Sequence, residues 1–449
     1  MSPIFRRLSA RFRGWVASVR TRFEPWRSHV ELLWQWLLYL VVGQLSRFWS
    51  RDERLWAFGA RGGSGFVDNA KYLYLWVAAN DPPIRPIWLS KDEAVVETLQ
   101  QQGYEAYHAH SLWGRYYTLR AGVVFVTQGL RDLHMGSTAG ATLVQLWHGL
   151  PLKTIGWDAE WPEQPWLVRR CHRYMAAEID LVTAPSTAAI EPLSSGLGID
   201  PDRFVVTGYP RTDAFVTDIE GATQTIDDSL IDRIEPQAAD SQLVFYLPTY
   251  RTAGDSFVTQ VEVERLGPLL AEHDAHLHIK AHPDEPVSAA ADHPRIHWLP
   301  ASVDPYLVLP HADVLVTDYS SVFFDYFALD RPIVFFAYDR SSYTARRGLY
   351  FEYDAVTPGE VVTDPEALPA ALAAALAAAD DGTDPYAAER RRLRTRFCPT
   401  PPGTASRAVY EAVSALVFDD SPAPADPTET NPLSSDTPVT TNAQTRDTS

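Results

Sequence analysis

Three stretches of this chain end an apolar run on residues that can move a proton or hold a phosphate. In VQLWHGLPLK the run stops at His148, Gly149 frees the backbone, Pro151 stiffens it and Lys153 follows. In LHIKAHP, Lys280 and His282 stand at the end of a second run, and in VLVTDYSSVFFD, Thr317 and Asp318 close a third while Ser320 and Ser321 open a helix. An imidazole with a pKa near ~6.5 can take a hydroxyl proton at neutral pH. Free amides at a helix N-terminus, with hydroxyls beside them, suit a phosphate. Each segment also has a plainer reading: His148 as a hydrogen-bonded core histidine, Asp318 or Ser320 as a helix cap. His276, His278 and His282 alternate along one strand face without carboxylates at ligand spacing, so no metal site is expected. RGGSG at 61–65 is neither a GxGxxG loop nor a P-loop and supports no assignment.

These segments need strands to end on. From Leu55 short apolar runs alternate with helix-period stretches: LWAFGA, a helix from about Asn69, IRPIWLS, a helix from Lys91, VVFVT and TLVQLWH. After the polar, acidic stretch 216–240 the alternation resumes with LVFYLPT, a helix near 258–272, AHLHIKAHP, IHWLP, ADVLVTD, a helix from Ser320 and PIVFFA. The expectation is an α/β fold of two domains, 51–220 and 241–418, joined by a connector at 221–240 and facing a cleft. Leu368–Ala379 and Thr404–Val417 read as closing helices, and 419–449, rich in Pro, Thr, Ser and Asp, as a disordered tail. Ligands in such sheets bind beyond the carboxyl ends of the strands, where the three segments fall.

Composition narrows the function. The 449 residues are 46% apolar and 12% aromatic, enough to bury cores in two or three domains. Two cysteines, Cys171 and Cys398, allow neither a disulfide framework nor a four-thiolate zinc site. The net charge is −18, yet residues 1–50 carry +6 and the remainder −24, so a nucleic-acid partner is not expected. Only four of 39 basic residues are lysine, which fits a GC-rich genome or a halophile whose carboxylate surface keeps it soluble.

In residues 1–50, Phe5, Leu8, Phe12, Trp15, Val16, Val19 and Phe23 recur at helical spacing among arginines, the pattern of a basic interfacial helix. The run Leu32–Leu45 falls short of the roughly 20 residues that span a bilayer. A peripheral anchor on the cytoplasmic face of the membrane is expected, the alternative being a helix packed on the body.

In FVDNAKYLYLWV, QLWHGLPLKTIGWD, VTGYPRTDAF, FYLPTYR, IKAHP, VTDYSSVFFDYFALDRPIVFFAYD and RGLYFEYD followed by PGEVV, in order from about Asp68 to Val362, the chain resembles the CDP-glycerol glycerophosphotransferases. These are the teichoic-acid primases and polymerases of GT-B type. Departures are Leu150 where Thr is commoner, Tyr250 for a frequent Trp, and Ala281 where Leu is commoner. The resemblance implies two Rossmann-like domains, an acceptor-side one first and a CDP-polyol-binding one second. It implies transfer of a polyol phosphate, glycerol phosphate first, from a CDP-polyol to a lipid-linked acceptor, with CMP leaving and no cofactor. His148 and His282 correspond to two family histidines, His148 being assigned as the base. His282, Lys280 and Arg251 then neutralise the diphosphate; Thr317, Asp318, Ser320 and Ser321 complete the donor site; Arg211 and Lys153 line the cleft, Arg211 reaching across it. The rival readings are a GT-B glycosyltransferase using a nucleotide sugar and a non-catalytic membrane-bound protein that recognises surface polymers.

Overall fold

The computed structural model describes residues 39–80, 83–223, 228–249, 265–280, 293–300 and 303–418, together with 30, 32–34, 36 and 37. Arg251, His282 and the stretches 1–29 and 419–449 lie outside the described residues.

Two wholly parallel sheets form the frame. The first contains β1 (Asp52–Phe58), β2 (Arg85–Ser90), β3 (Ala106–His108), β4 (Ala121–Val126), β5 (Thr142–Gln145), β6 (Leu181–Ala184) and β7 (Phe204–Val206), in the order β3-β2-β1-β4-β5-β6-β7. The second contains β8 (Gln242–Leu247), β9 (Ala275–Ile279), β10 (Ile296–Trp298), β11 (Val314–Thr317), β12 (Ile333–Phe336) and β13 (Glu360–Val362), in the order β10-β9-β8-β11-β12-β13. Each sheet winds outward from its first strand to one edge, then returns to that strand's other side. The reversal leaves a crevice at the carboxyl ends of β1 and β4 in one sheet and of β8 and β11 in the other. Strands covered on both faces read as unbroken apolar runs, and Val123, Val124, Phe125 and Val126 of β4 have no exposed surface.

Among the described residues the α-helices of five residues or more are α1 (Asp68–Ala79), α2 (Glu93–Gln101), α3 (Leu112–Arg120), α4 (Trp166–Ala177), α5 (Ile190–Leu197), α6 (Asp228–Asp240), α7 (Leu266–Glu272), α8 (Val322–Tyr326), α9 (Arg340–Arg346), α10 (Leu368–Asp381), α11 (Ala387–Phe397) and α12 (Ala405–Phe418). Two of them revise the expected boundaries. The supposed connector 221–240 contains α6, which packs against β8 and buries Leu230 and Ile234 at i,i+4 spacing. A single apolar stripe on a polar helix escapes a composition count. The segment 241–418 is not one unit either, because α12 crosses back to the first domain. There Tyr410 lies with its ring 5.5 Å from Trp56 and 5.4 Å from Trp76. Asp213 fixes the crossing by accepting the amides of Gly403, Ala405 and Ser406.

The described residues from Val30 to Ser46 are helical, with a π-turn at Tyr39–Gly43. Its inner stripe is docked: Trp36 and Tyr39 meet Tyr174 of α4 edge-on, and the Tyr39 hydroxyl donates to Glu178 at 2.5 Å. Its outer stripe is apolar and exposed, at Trp34, Leu37, Val41, Leu45 and Phe48. Among the described residues no helix is long and apolar enough to cross a membrane.

Candidate functional site

The β5 run delivers His148 into the cleft through a strained turn. Trp147 has φ of +54°, a left-handed conformation costly for a bulky residue, and the Asn69 amide holds it by donating to the carbonyls of Leu146 (3.2 Å) and Trp147 (2.9 Å). His148 Nδ1 lies 3.2 Å from the Thr127 carbonyl oxygen. A carbonyl only accepts, so Nδ1 carries the hydrogen and Nε2 keeps its lone pair. Burial lowers the His148 pKa from its ordinary value, with Asp68 opposing in part, so the ring is neutral at neutral pH. Gly149 follows with φ of +140°, and a Cβ there would stand 2.8 Å from Ser321 Oγ and 3.0 Å from Arg211 Nη2. The glycine is what lets this loop touch the other domain.

Facing it, the end of β11 binds itself. The Thr317 hydroxyl donates to the Leu247 carbonyl at 2.7 Å, and the Asp318 carboxylate accepts the amides of Thr249 (2.8 Å), Tyr319 (2.5 Å) and Ser320 (3.2 Å). Both side chains are buried and shape the loop, while α8 begins after Ser321 without a side-chain cap, so the capping alternative is not what the structure shows. The polar residues of this segment that line the cavity are Ser320 and Ser321, the latter leading directly into α8.

Between the two ends lies a cavity of about 270 Å³ lined by Arg61, Asp68, Gln128, His148, Arg211, Ser320 and Ser321, among others. Lys280, at the end of β9, has its pKa lowered first by burial and then by the Arg61 guanidinium, with Asp304 opposing. Two cations from opposite domains brought near each other suit an anionic ligand. No motif in the sequence selects Arg61. Its local signal is the RGGSG loop beyond β1, where Gly62 and Gly63 have φ of +66° and +87°, and where buried Asp132 accepts the Gly62, Thr127 and Gln128 amides. Of five non-glycine residues with positive φ among those described, Arg61, Asp68 and Trp147 all stand at this site.

Arg211 does reach across the cleft, but as a clasp. Its Nη1 bonds Asp68 at 2.7 Å and the His148 carbonyl at 2.8 Å, and its Nη2 bonds Asp325 of α8 at 2.6 Å. The Tyr306 hydroxyl completes Asp325, and Tyr306 lies stacked 5.7 Å from Phe215. A second clasp joins Lys71 to Asp304 at 2.8 Å, with the Tyr72 hydroxyl 2.9 Å from the same oxygen. Burial alone would raise the Asp304 pKa, yet the Lys71 ammonium and these hydrogen bonds hold it below the usual carboxylate range. Lys153 does not line the cavity. It sits on a ribbon bridged to Leu349, with Nζ 5.9 Å from the Tyr343 ring.

The model of the CDP-glycerol:poly(glycerophosphate) glycerophosphotransferase family matches residues 42–415. The chain belongs to that family. It is 27% identical over 382 residues to a teichoic acid poly(glycerol phosphate) polymerase of Staphylococcus epidermidis, an alignment covering 79% of this chain and 50% of the relative. It thus spans about half the length of that relative. It is 27% identical over 297 residues to a teichoic acid glycerol-phosphate transferase of Staphylococcus aureus, covering 61% of this chain and 71% of the other. Among solved structures, the wall teichoic acid polymerase TagF superposes with a TM-score of 0.68 at 22% identity, covering 88% of this chain and 98% of that one, and a form soaked with CDPG is known. The two-sheet GT-B-type fold expected for this chain is the fold the two share.

Proposed function

We propose that the chain transfers a polyol phosphate, glycerol phosphate in the first instance, from a CDP-polyol to a hydroxyl of a membrane-linked acceptor. The acceptor oxygen attacks the distal phosphorus as its proton passes to His148 Nε2. The phosphoanhydride bond then breaks and CMP leaves with the bonding electrons. Arg61 and Lys280, with Ser320 and Ser321, stabilise charge on the diphosphate. Arg251 and His282 join this set on family resemblance, and Thr317 and Asp318 serve by holding the loop that carries the serines. The observation that carries the reading is a neutral His148, its Nδ1 tied to a carbonyl, opening into a cavity whose far wall presents Ser320 and Ser321.

The exposed stripe Trp34, Leu37, Val41, Leu45 and Phe48 supports attachment to the cytoplasmic membrane surface. At ~25 cal/mol per Å² of apolar area, inserting it contributes several kcal/mol independently of salt. Leu32, Trp36 and Tyr39 pack on the body, so the clean test replaces Trp34, Leu37 and Leu45 by Ser rather than deleting the segment. The variant should move from the membrane to the soluble fraction, and its remaining with membranes would refute the attachment.

The reaction class is tested by incubation with CDP-glycerol and UDP-glucose separately, in the presence of acceptor membranes. CMP from the first is expected. CDP from the first, or UDP from the second, would assign a different bond cleavage, and no nucleotide from either would leave a recognition protein.

A further inference from the structure

His148 separates two cavities. Besides the one that faces Ser320 and Ser321, a second of about 400 Å³ shares Gln128 and His148 as lining and extends away from the second domain's serines. Its walls are of another kind. Trp147, Ile155, Trp161, Met175 and Leu197 make it largely apolar, and Leu32 of the N-terminal segment forms part of it, on the helix whose outer stripe is exposed. Arg131 and Arg347 supply cationic groups and Glu160 a carboxylate, Arg347 and Glu160 being exposed at the surface.

One buried polar group in this second cavity is left incomplete. Gln145, only 4% exposed, donates from Nε2 to the Thr127 carbonyl at 3.3 Å, the same oxygen that receives His148 Nδ1. Its Oε1 is buried and has no partner among the described residues. A buried acceptor left alone costs ~1–3 kcal/mol, a cost removed when a donor arrives. A hydroxyl-bearing substrate brings such a donor to the side of the general base. A CDP-polyol also carries hydroxyls, but the apolar walls disfavour the charge of its diphosphate.

We propose that this second cavity is the acceptor site. The hydroxyl-bearing terminal unit of a lipid-linked polyol phosphate enters it, and Gln145 Oε1, closed off in the free protein, is uncovered by a turn of the side chain and accepts a hydrogen bond from that unit, positioning the reacting oxygen toward His148 Nε2. The adjoining phosphate lies toward Arg131 and Arg347, and the apolar chain runs along the wall toward Leu32. The assignment rests on the phosphate transfer proposed above for the neighbouring cavity. Gln145 is a positioning residue, since the proton passes to His148.

Calorimetric titration of the full-length protein tests the site without turnover, using n-dodecyl glycerol phosphate, glycerol 3-phosphate and CDP-glycerol as probes. The dodecyl compound should bind at least about tenfold more tightly than glycerol 3-phosphate. Gln145→Leu, which removes the acceptor oxygen, and Ala176→Phe, which fills the cavity from α4, should each weaken it about tenfold, with CDP-glycerol affinity shifted less than twofold. In turnover, Gln145→Leu should raise the acceptor KM more than it lowers kcat. Equal binding of the two phosphates, alkyl binding that survives both substitutions and so belongs to the exposed N-terminal stripe, or a parallel fall in CDP-glycerol affinity would each overturn the site. If Ala176→Phe does not fold, the comparison of the two phosphates and Gln145→Leu decide. Alkyl binding with the expected losses, but no CMP from CDP-glycerol, would uphold the cavity and refute the reaction.

Discussion

The two sheets share a strand order and treat their carboxyl ends in opposite ways. Beyond β5 the chain strains its backbone at Trp147, strips a side chain at Gly149 and pushes His148 outward with Nε2 unencumbered. Beyond β11 it turns inward: Thr317 and Asp318 bind neighbouring backbone, and the polar residues that line the cavity are the pair of serines before α8. In the proposed reaction one end offers the reactive atom and the other a fixed surface. A proton acceptor has to stand free, whereas an anion cradle works only if its donors are already fixed, so the same scaffold serves both demands through different loops.

Breaking the link between the two ends should have the largest effect. Arg211→Met leaves Asp325 and Asp68 without their cation in a buried interface, and a loss of about 3–5 kcal/mol is expected in chemical denaturation. A loss below 1 kcal/mol would show that the clasp is dispensable. His148→Ala should lower kcat by ~100-fold or more with the unfolding midpoint nearly unchanged, and a folded variant retaining most activity would remove it from the mechanism. Ser321→Ala tests the rigid end, with an expected rise of about tenfold in the KM for CDP-glycerol and little change in kcat, read from initial rates. An equal fall in kcat would give the serine a role confined to the transition state.

The smallest effect is on stability in acid. Burial and the neighbouring imidazoles lower the His278 pKa to about 3, and burial lowers His148 as well. The folded state therefore keeps these rings neutral while the unfolded chain takes up protons below ~6.5, so their contribution is present above that pH and is lost as pH falls toward the folded values. Thermal melts should show the midpoint dropping between pH 7 and 5 and dropping less in His278→Phe. An equal drop in the variant would assign the acid sensitivity to other groups.

Much of the frame is legible in the sequence because a parallel strand buried on both faces must be an apolar run, and the residues just beyond its carboxyl end must lie in the crevice. That logic finds His148, Lys280 and the serines. It does not find β3, β7 and β13, edge strands of three residues with one buried residue each, nor β6. Nor does it find the clasps, since Lys71 and Asp304 stand 233 residues apart and a buried ion pair leaves no local pattern. Lys71 lies in a helix whose neighbours are nearly all buried, so its position reads as core until its partner is known. Arg61 is hidden because its glycine loop fits no named phosphate-binding motif, although a glycine loop at the end of a first strand is itself a reason to weigh the adjoining side chains.

The return of α12 to the first domain sets an order on the making of this protein. A nascent chain emerges N-terminus first, and its domains generally fold as they appear. Here Trp56 and Trp76 have no Tyr410 against them, and Asp213 does not have the amides of Gly403, Ala405 and Ser406, until α12 has left the ribosome. The first domain therefore waits, with aromatic surface uncovered, through the synthesis of the entire second domain, and its completion is an act of the whole chain.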